Sequence, residues 1–254
     1  MGNLVVTPLG TISPYPKGKH NCPGFLVESG KQKVLLDCGN GITSLLNFPE
    51  DLKNLQVILT HLHKDHIGDI GCLQYASYTH HNLGELEERV KIYLPKKDFQ
   101  FSKRNITEAS ESYTTYQDIE EKTISVGDME ITFYDNHSHP IESYLVKIKT
   151  QEGQIVYTSD IGTTNLEGVI KFCEDSDLLI CESSFLERHH SASKSHLTSL
   201  DAARIAKLSK SKRLVLTHFW PQEKKEEYVE EARRIFENTI AAEEGQKIYV
   251  RRYL

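Results

Sequence analysis

Short apolar and β-branched runs recur along the chain between Gly, Pro and Asp. Residues 4–7, 24–28, 33–37 and 56–60 carry this pattern and predict strands. So do 91–94, 130–134, 144–149, 154–159, 178–181, 213–217 and 247–251. The runs 144–149 and 154–159 flank Thr150-Gln151-Glu152-Gly153, which predicts a hairpin with glycine where φ can be positive. Helical spacing falls mostly in the second half. Thr198 and Asp201 predict an N-cap and an acidic N3 for a helix through Leu208, with Ala202, Ile205, Ala206 and Leu208 on its apolar side. Residues 224–244 place Tyr228, Ala232, Ile235, Phe236 and Thr239 along one stripe, and Gly245 is a candidate C-cap. Asn165 is expected to cap a third helix to Glu174. Residues 84–123 read as charged and irregular apart from the strand 91–94. The strands are followed by helices, so the class is α/β, with sheets covered by helices.

Composition adds bounds. The chain has 254 residues, 38% hydrophobic and 26% charged. That length permits a sizeable core, and no repeat or Pro/Gly/Ser-rich linker divides it. One domain over 1–254 is expected. No apolar run approaches the ~18–20 residues that a bilayer helix needs, and no basic segment leads into an apolar one at the start. The five cysteines are spread out with no CxxC pair, as in a cytoplasmic protein with reduced thiols. The net charge of −6 argues against a chain that coats nucleic acid. No stable DNA binding and no membrane association are expected, and a homodimer is allowed.

The 12 histidines change the picture through their placement. The run 56–60 leads into His61-Leu62-His63-Lys64-Asp65-His66-Ile67-Gly68-Asp69. His61 and His63 can approach one ion from a strand end or tight turn, and Asp65 and His66 can approach a second. Imidazole and carboxylate suit Zn, Mn or Fe. His139, Asp160 and His218 each stand at or beyond a later predicted strand end. Asp37 ends the run 33–37, where it is either a turn-capping residue or a support for ligands. His20, His80, His81, His189 and His190 read as loop residues.

HLHKDH resembles the HxHxDH signature of the metallo-β-lactamase superfamily. His139, Asp160 in YTSD and His218 in LTHFW resemble its remaining ligand motifs in order, and LLDCGNG resembles its early LLDxGxG motif. The resemblance implies an αββα four-layer sandwich with two divalent metals, zinc first, with manganese or iron as alternatives. Carried over by position, it implies one ion on His61, His63 and His139, another on Asp65, His66 and His218, and Asp160 bridging. Asp37 would orient ligands from behind.

Cys181-Glu182-Ser183-Ser184-Phe185 resembles the CEATF segment of the ribonuclease Z-like branch. His196-Leu197-Thr198 and His139-Pro140-Ile141-Glu142-Ser143-Tyr144 resemble two further segments of that branch. There Glu182 and His196 would pair beside the metals to protonate the leaving oxygen. A carboxylate on an imidazole fixes its tautomer and raises its pKa, which suits a general acid. Asp65 would orient or deprotonate the nucleophile. Two departures stand out. Only 20 residues separate His139 from Asp160, and the predicted hairpin fills them, where tRNA-processing relatives carry a long arm that grips tRNA. The His motif also ends Gly68-Asp69 where Gly-Gly is usual. The expected activity is a metal-dependent phosphodiesterase on small cyclic or nucleotide phosphodiesters or RNA ends. The alternatives are an ester, thioester or lactone hydrolase on the same fold, and a non-catalytic metal-binding regulatory protein.

Overall fold

The apolar runs pair as two sheets whose buried faces meet. The computed structural model describes residues 3–97, 100–108, 112–120, 123–189 and 194–252. In chain order the elements are β1 (Leu4–Gly10), β2 (Gly24–Ser29), β3 (Gln32–Leu36), β4 (Leu55–Ile58), α1 (Lys64–Ile67), α2 (Ile70–Asn82), β5 (Lys91–Leu94), α3 (Gln100–Glu108) and β6 (Thr115–Asp118). Then come β7 (Ile124–Val126), β8 (Met129–Asp135), β9 (Tyr144–Lys149), β10 (Gln154–Tyr157), α4 (Leu166–Phe172) and β11 (Leu178–Glu182). The last are α5 (Ser199–Leu208), β12 (Leu214–Thr217), α6 (Lys225–Arg233), β13 (Thr239–Ala241) and β14 (Ile248–Val250).

Among the described residues, one sheet runs β14-β1-β2-β3-β4-β5-β6 and the other β13-β12-β11-β10-β9-β8-β7. Both are mixed. β3 to β6 pair in parallel, as do β10 to β13, while the other pairings are antiparallel. Alternate residues of each strand face opposite ways, so one strand feeds two cores. Val34, Leu36 and Ile58 pack between the sheets against Ile131, Val146, Ile148, Ile180 and Val215. Leu35, Val57 and Ile92 face outward under Ile67, Ile70 and Leu73 of α1 and α2. Leu179 and Leu216 do the same on the other side, under Val169, Ala202, Ile205 and Tyr228 of α4, α5 and α6. The layers are therefore helix, sheet, sheet, helix. Each such side chain contributes about 1.5–3 kcal/mol on burial, which holds the strand ends rigidly enough to carry polar groups.

The hairpin of β9 and β10 forms as expected, with Ile155 opposite Ile148 and Thr150 N–H donating to the Gly153 carbonyl across the turn. The Thr198–Asp201 capping box opens α5. Three helix expectations need correction. First, the stripe in 224–244 is not one helix: α6 ends at Arg233, and Thr239–Ala241 pairs with β12 as a parallel edge strand. Ile235 and Phe236 pack on the same core from the connection between them, so the apolar spacing outlives the helix. Second, Asn165 occupies the N-cap position of α4 as expected, but its side chain accepts no bond from the helix N–H groups and instead donates to Tyr134 Oη and the Asn136 carbonyl, and the helix ends at Phe172, short of Glu174. Third, the first half also holds helices. α2 buries Ile70, Leu73, Gln74 and Ser77 at helical spacing, but two of the four are polar. Gln74 donates to the Ile106 carbonyl and Ser77 accepts from Val90 N–H, so their burial is satisfied by hydrogen bonds that no hydrophobic pattern reveals. Within 84–123, α3 and β6 add regular structure to the predicted strand. No helix among the described residues is long and apolar enough to cross a membrane.

Candidate metal centre

The carboxyl ends of the parallel strands open onto one rim, the place where α/β sheets bind ligands. β3 delivers Asp37, β4 leads into His61 and His63, β10 delivers Asp160, β11 ends at Glu182, and β12 delivers His218. β8 runs the same way and leads to His139. Buried Leu59, Leu62 and Ile67 anchor the turn and α1 in the outer core, so the polar residues between them turn to the rim. The close turn has a steric requirement at Gly39. A Cβ there would stand 2.3 Å from the Asp65 carbonyl oxygen and 2.7 Å from the Cys22 carbonyl carbon.

The side chains gather into two groups around Asp160. His61, His63, His139 and Asp160 form one, and Asp65, His66 and His218 form the other; each group is close enough to share an ion. Asp160 divides its oxygens between them. Oδ1 lies 3.0 Å from His218 Nε2 and 3.3 Å from His66 Nε2. Oδ2 lies 3.5 Å from His61 Nε2 and 3.9 Å from His139 Nε2. Asp65 Oδ2 sits 3.6 Å from His218 Nε2 and 3.8 Å from His66 Nε2.

These residues fit divalent ions. His61 Nε2, both ring nitrogens of His139 and Asp160 Oδ1 are buried without a hydrogen-bond partner, and His66 Nε2 faces His218 Nε2 at 3.2 Å. Buried polar atoms left unpaired by protein normally signal another partner. Burial and then neighbouring imidazoles hold His63 down to about 4 and His139 down to about 3, and His61 also falls below its ordinary value. A neutral imidazole is the form that binds metal. Asp160 and Asp65 are held below the ordinary carboxylate range. Burial pushes the other way, but His218, His66 and His61 outweigh it at Asp160, and His66 and His218 at Asp65.

A further set of bonds holds these side chains from behind. The Asp37 carboxylate is fully buried. Its Oδ1 accepts from Thr60 N–H at 2.8 Å and from Thr60 Oγ1 at 2.9 Å; its Oδ2 accepts from His66 Nδ1 at 2.8 Å and from Tyr157 Oη at 2.9 Å. Since Tyr157 belongs to β10, Asp37 ties the two sheets together as it orients His66. Its carboxylate thus reaches across to His66 rather than only capping the turn after β3. Ser13 Oγ donates to Asp65 Oδ2 at 2.7 Å. Ser184 Oγ sits 2.8 Å from His218 Nδ1 and donates to Glu182 Oε2 at 2.7 Å. Asp69, where a second glycine is usual, accepts from Gly41 N–H, Thr43 N–H and Thr43 Oγ1, pinning the turn that follows Asp37.

His196 stands beside this cluster. Its Nδ1 lies 3.1 Å from Glu182 Oε1 and 3.9 Å from Asp160 Oδ2, and its side chain keeps 24% of its surface open to solvent. Glu182 is buried and held by Ile161 N–H and Leu197 N–H. Burial disfavours charge on His196, but the Glu182 carboxylate, with Asp160 and Asp65 beyond, raises it to about 9. His196 also lies within ligand distance of Asp160 and His218. On the other side, a cleft of about 380 Å³ reaches His139 between Leu62, Lys97, His137 and Glu142.

A family model described as "Beta-lactamase superfamily domain" matches residues 32–219. The chain belongs to the β-lactamase superfamily. Within it, the chain is 32% identical over 216 residues to the probable metallo-hydrolase YhfI of Bacillus subtilis, covering 85% of this chain and 86% of the relative. The solved structure of YhfI, a metallo-β-lactamase fold protein, superimposes with a TM-score of 0.86 over 97% of this chain and 99% of that one, at 31% identity. The fold is thus the metallo-β-lactamase fold, in agreement with the layers above, and the chain is a metallo-hydrolase. Ribonuclease Z of Saccharolobus solfataricus is 28% identical over 301 residues, 96% of this chain and 98% of the relative. Human short-form tRNase Z shares the fold, with a TM-score of 0.74 at 22% identity over 97% of this chain and 99% of that one.

In this superfamily member the motif residues His61, His63, Asp65, His66, His139, Asp160, His218, Glu182 and His196 all meet at one rim. The hydroxyls of Ser13, Thr60, Tyr157, Ser159 and Ser184 were not singled out by sequence. An isolated Ser or Thr next to a motif has too many ordinary uses to mark it, and Ser13 reaches Asp65 only through tertiary folding. Of the other described histidines, His137 lines the cleft at His139 and pairs with Asp135. His80 and His81, expected in a loop, lie instead in the last turn of α2, where His80 pairs with Glu85 and His81 Nδ1 meets the Leu86 carbonyl. His20 pairs with Glu244 and His189 with Glu223, away from the cluster. His190 lies outside the described residues.

Proposed function

We propose that this chain is a dinuclear phosphodiesterase acting on small cyclic or nucleotide phosphodiesters or on RNA ends. The observation that carries the reading is the His196–Glu182 pair set 3.9 Å from Asp160 at the edge of the ligand cluster. Zinc is the first candidate, with manganese or iron as alternatives; His61, His63 and His139 would hold one ion, Asp65, His66 and His218 the other, and Asp160 both. An ion held there would lower the pKa of a water and would draw charge from phosphoryl oxygens. The chain's own groups supply the rest. Asp65, held by Ser13, orients the attacking water. As the water's oxygen bonds to phosphorus its proton passes to solvent, and as the bond from phosphorus to the leaving oxygen breaks, His196 gives that oxygen its proton, which solvent at the open edge restores. Glu182, fixed by two backbone N–H groups, keeps the imidazole aimed and charged.

A thioester hydrolase gains less from such a donor, since a thiolate leaves without needing a proton. The short interval from His139 to Asp160 supports a small substrate: β9, its turn and β10 occupy it, with no projecting arm. The alignment with ribonuclease Z runs to 301 residues against 254 in this chain, so that relative carries additional length. The test compares bis(p-nitrophenyl) phosphate with p-nitrophenyl acetate and a thioester, with and without chelator. Chelator-sensitive turnover of the phosphodiester well above the other two is expected. Preferential ester or thioester turnover would overturn the reading.

A further inference from the structure

Ser159 adopts φ 53°, in the left-handed region that favours glycine, and is buried immediately before Asp160. A side chain at such a position carries a conformational cost that glycine would avoid. Its hydroxyl is engaged at the heart of the centre. Ser159 Oγ lies 2.5 Å from Thr60 Oγ1 and 3.3 Å from His61 Nδ1. Thr60 Oγ1 lies 3.2 Å from the same nitrogen and 2.9 Å and 3.0 Å from the two Asp37 oxygens.

The donors follow from counting protons. The Asp37 carboxylate accepts, so Thr60 spends its one hydroxyl proton there. Thr60 Oγ1 must then accept from Ser159. Ser159 Oγ in turn accepts from His61, together with Thr60. The chain therefore runs His61 Nδ1–H to Ser159, Ser159 to Thr60, and Thr60 to Asp37. Its direction leaves the lone pair of His61 on Nε2, the atom that faces Asp160 Oδ2 at 3.5 Å with no partner of its own. The chain crosses from β10 to the turn after β4, so it sets the ring of His61 and the backbone carrying Asp160 against each other.

We infer that Ser159 is a positioning residue for the metal centre: its hydroxyl fixes His61 and Asp160 for the ion they share, and the positive φ is retained for that bond. This rests on the reading that His61 and Asp160 hold an ion, and it is independent of the substrate. Hydrogen bonds behind metal ligands are typically worth about 10–100-fold in affinity.

The experiment compares parent, Ser159→Gly and Ser159→Ala. Zinc is withdrawn from loaded protein by a competing chelator, melting is followed with and without metal, and cobalt(II) spectra report the ligands. Ser159→Gly is expected to weaken at least one ion about 10–100-fold and to shift the cobalt bands, with no fall in metal-free melting temperature, because glycine accepts the backbone. Ser159→Ala, which keeps the strained backbone, is expected to lose the same affinity. A purely structural serine gives the opposite pattern: lower metal-free melting temperature with unchanged spectra. Parent-like affinity and spectra in Ser159→Gly overturn the inference. If the parent itself takes fewer than two ions, the dinuclear reading fails; a weakened ion in the variant still supports the role of Ser159, and an unweakened one still refutes it.

Discussion

Asp37→Asn is the most informative single change behind the ligands. It preserves shape and removes one acceptor. In the parent, His66 Nδ1 and Tyr157 Oη both donate to Oδ2, while Thr60 N–H and Thr60 Oγ1 both donate to Oδ1. At Oδ2 the amide NH₂ would face His66 Nδ1 and Tyr157 Oη; at Oδ1 it would face Thr60 N–H, while Thr60 Oγ1 keeps Oδ2 at 3.0 Å. One or two donors lose their acceptor. Hydrogen bonds to a charged group contribute about 1.5–3 kcal/mol each, so the loss is about 1.5–6 kcal/mol. That is a large share of the ~5–15 kcal/mol that stabilises a typical fold. At about 2–4 °C per kcal/mol for a chain of this size, melting should fall by roughly 3–24 °C. The measurement is thermal unfolding in excess chelator, so that metal loss does not enter, followed by metal analysis after reloading. Loss of metal is also expected, because His66 is no longer oriented. A melting point within ~2 °C of the parent, with parent metal content, would refute the claim that Asp37 joins the sheets and holds His66.

Asp160→Ala removes the residue shared by both groups; metal analysis should find most of the metal gone, and melting of the protein as purified should fall, since metal bound only by the folded state stabilises it. Burial above all pushes the Cys22 and Cys173 thiols up to about 12 and raises Cys38 and Cys181 as well, while Cys72 is exposed. A thiol reagent at pH 8 should therefore titrate one cysteine in native protein and five after denaturation; rapid native reaction of a second would contradict the burial. Side-by-side kcat/KM values should show small phosphodiesters cleaved and a 3′-extended precursor tRNA cleaved poorly, because remote binding surface is what makes a large substrate a good one. Efficient, correctly placed tRNA cleavage would show that another element replaces the arm.

The strand framework was largely legible because buried strands write their cores as β-branched runs: β5 and β9 match their predicted limits, and the ligands sit just past the ends of such runs. The capping box of α5 was legible because Thr198 and Asp201 carry the signal locally. What stayed hidden was tertiary. α2 is held partly by Gln74 and Ser77, whose hydrogen-bond partners lie in other elements. The stripe that suggested one helix over 224–244 is completed by residues packing from a connection and an edge strand. At the site, histidines and aspartates announce themselves by spacing. The serines that hold them do not, because Ser13 and Ser159 reach their partners across 52 and 98 residues of chain.

The central claim is that His196, carried by Glu182, donates the proton to a phosphodiester's leaving oxygen. His196→Ala tests it most directly, assayed on two substrates alongside metal analysis. The predicted result is unchanged metal content, a loss of about 10²–10⁴-fold on an alkyl phosphodiester with a poor leaving group, and a much smaller loss on bis(p-nitrophenyl) phosphate, whose p-nitrophenolate scarcely needs a proton. Equal losses on both substrates, or loss of metal along with activity, would contradict it and place His196 among the ligands instead.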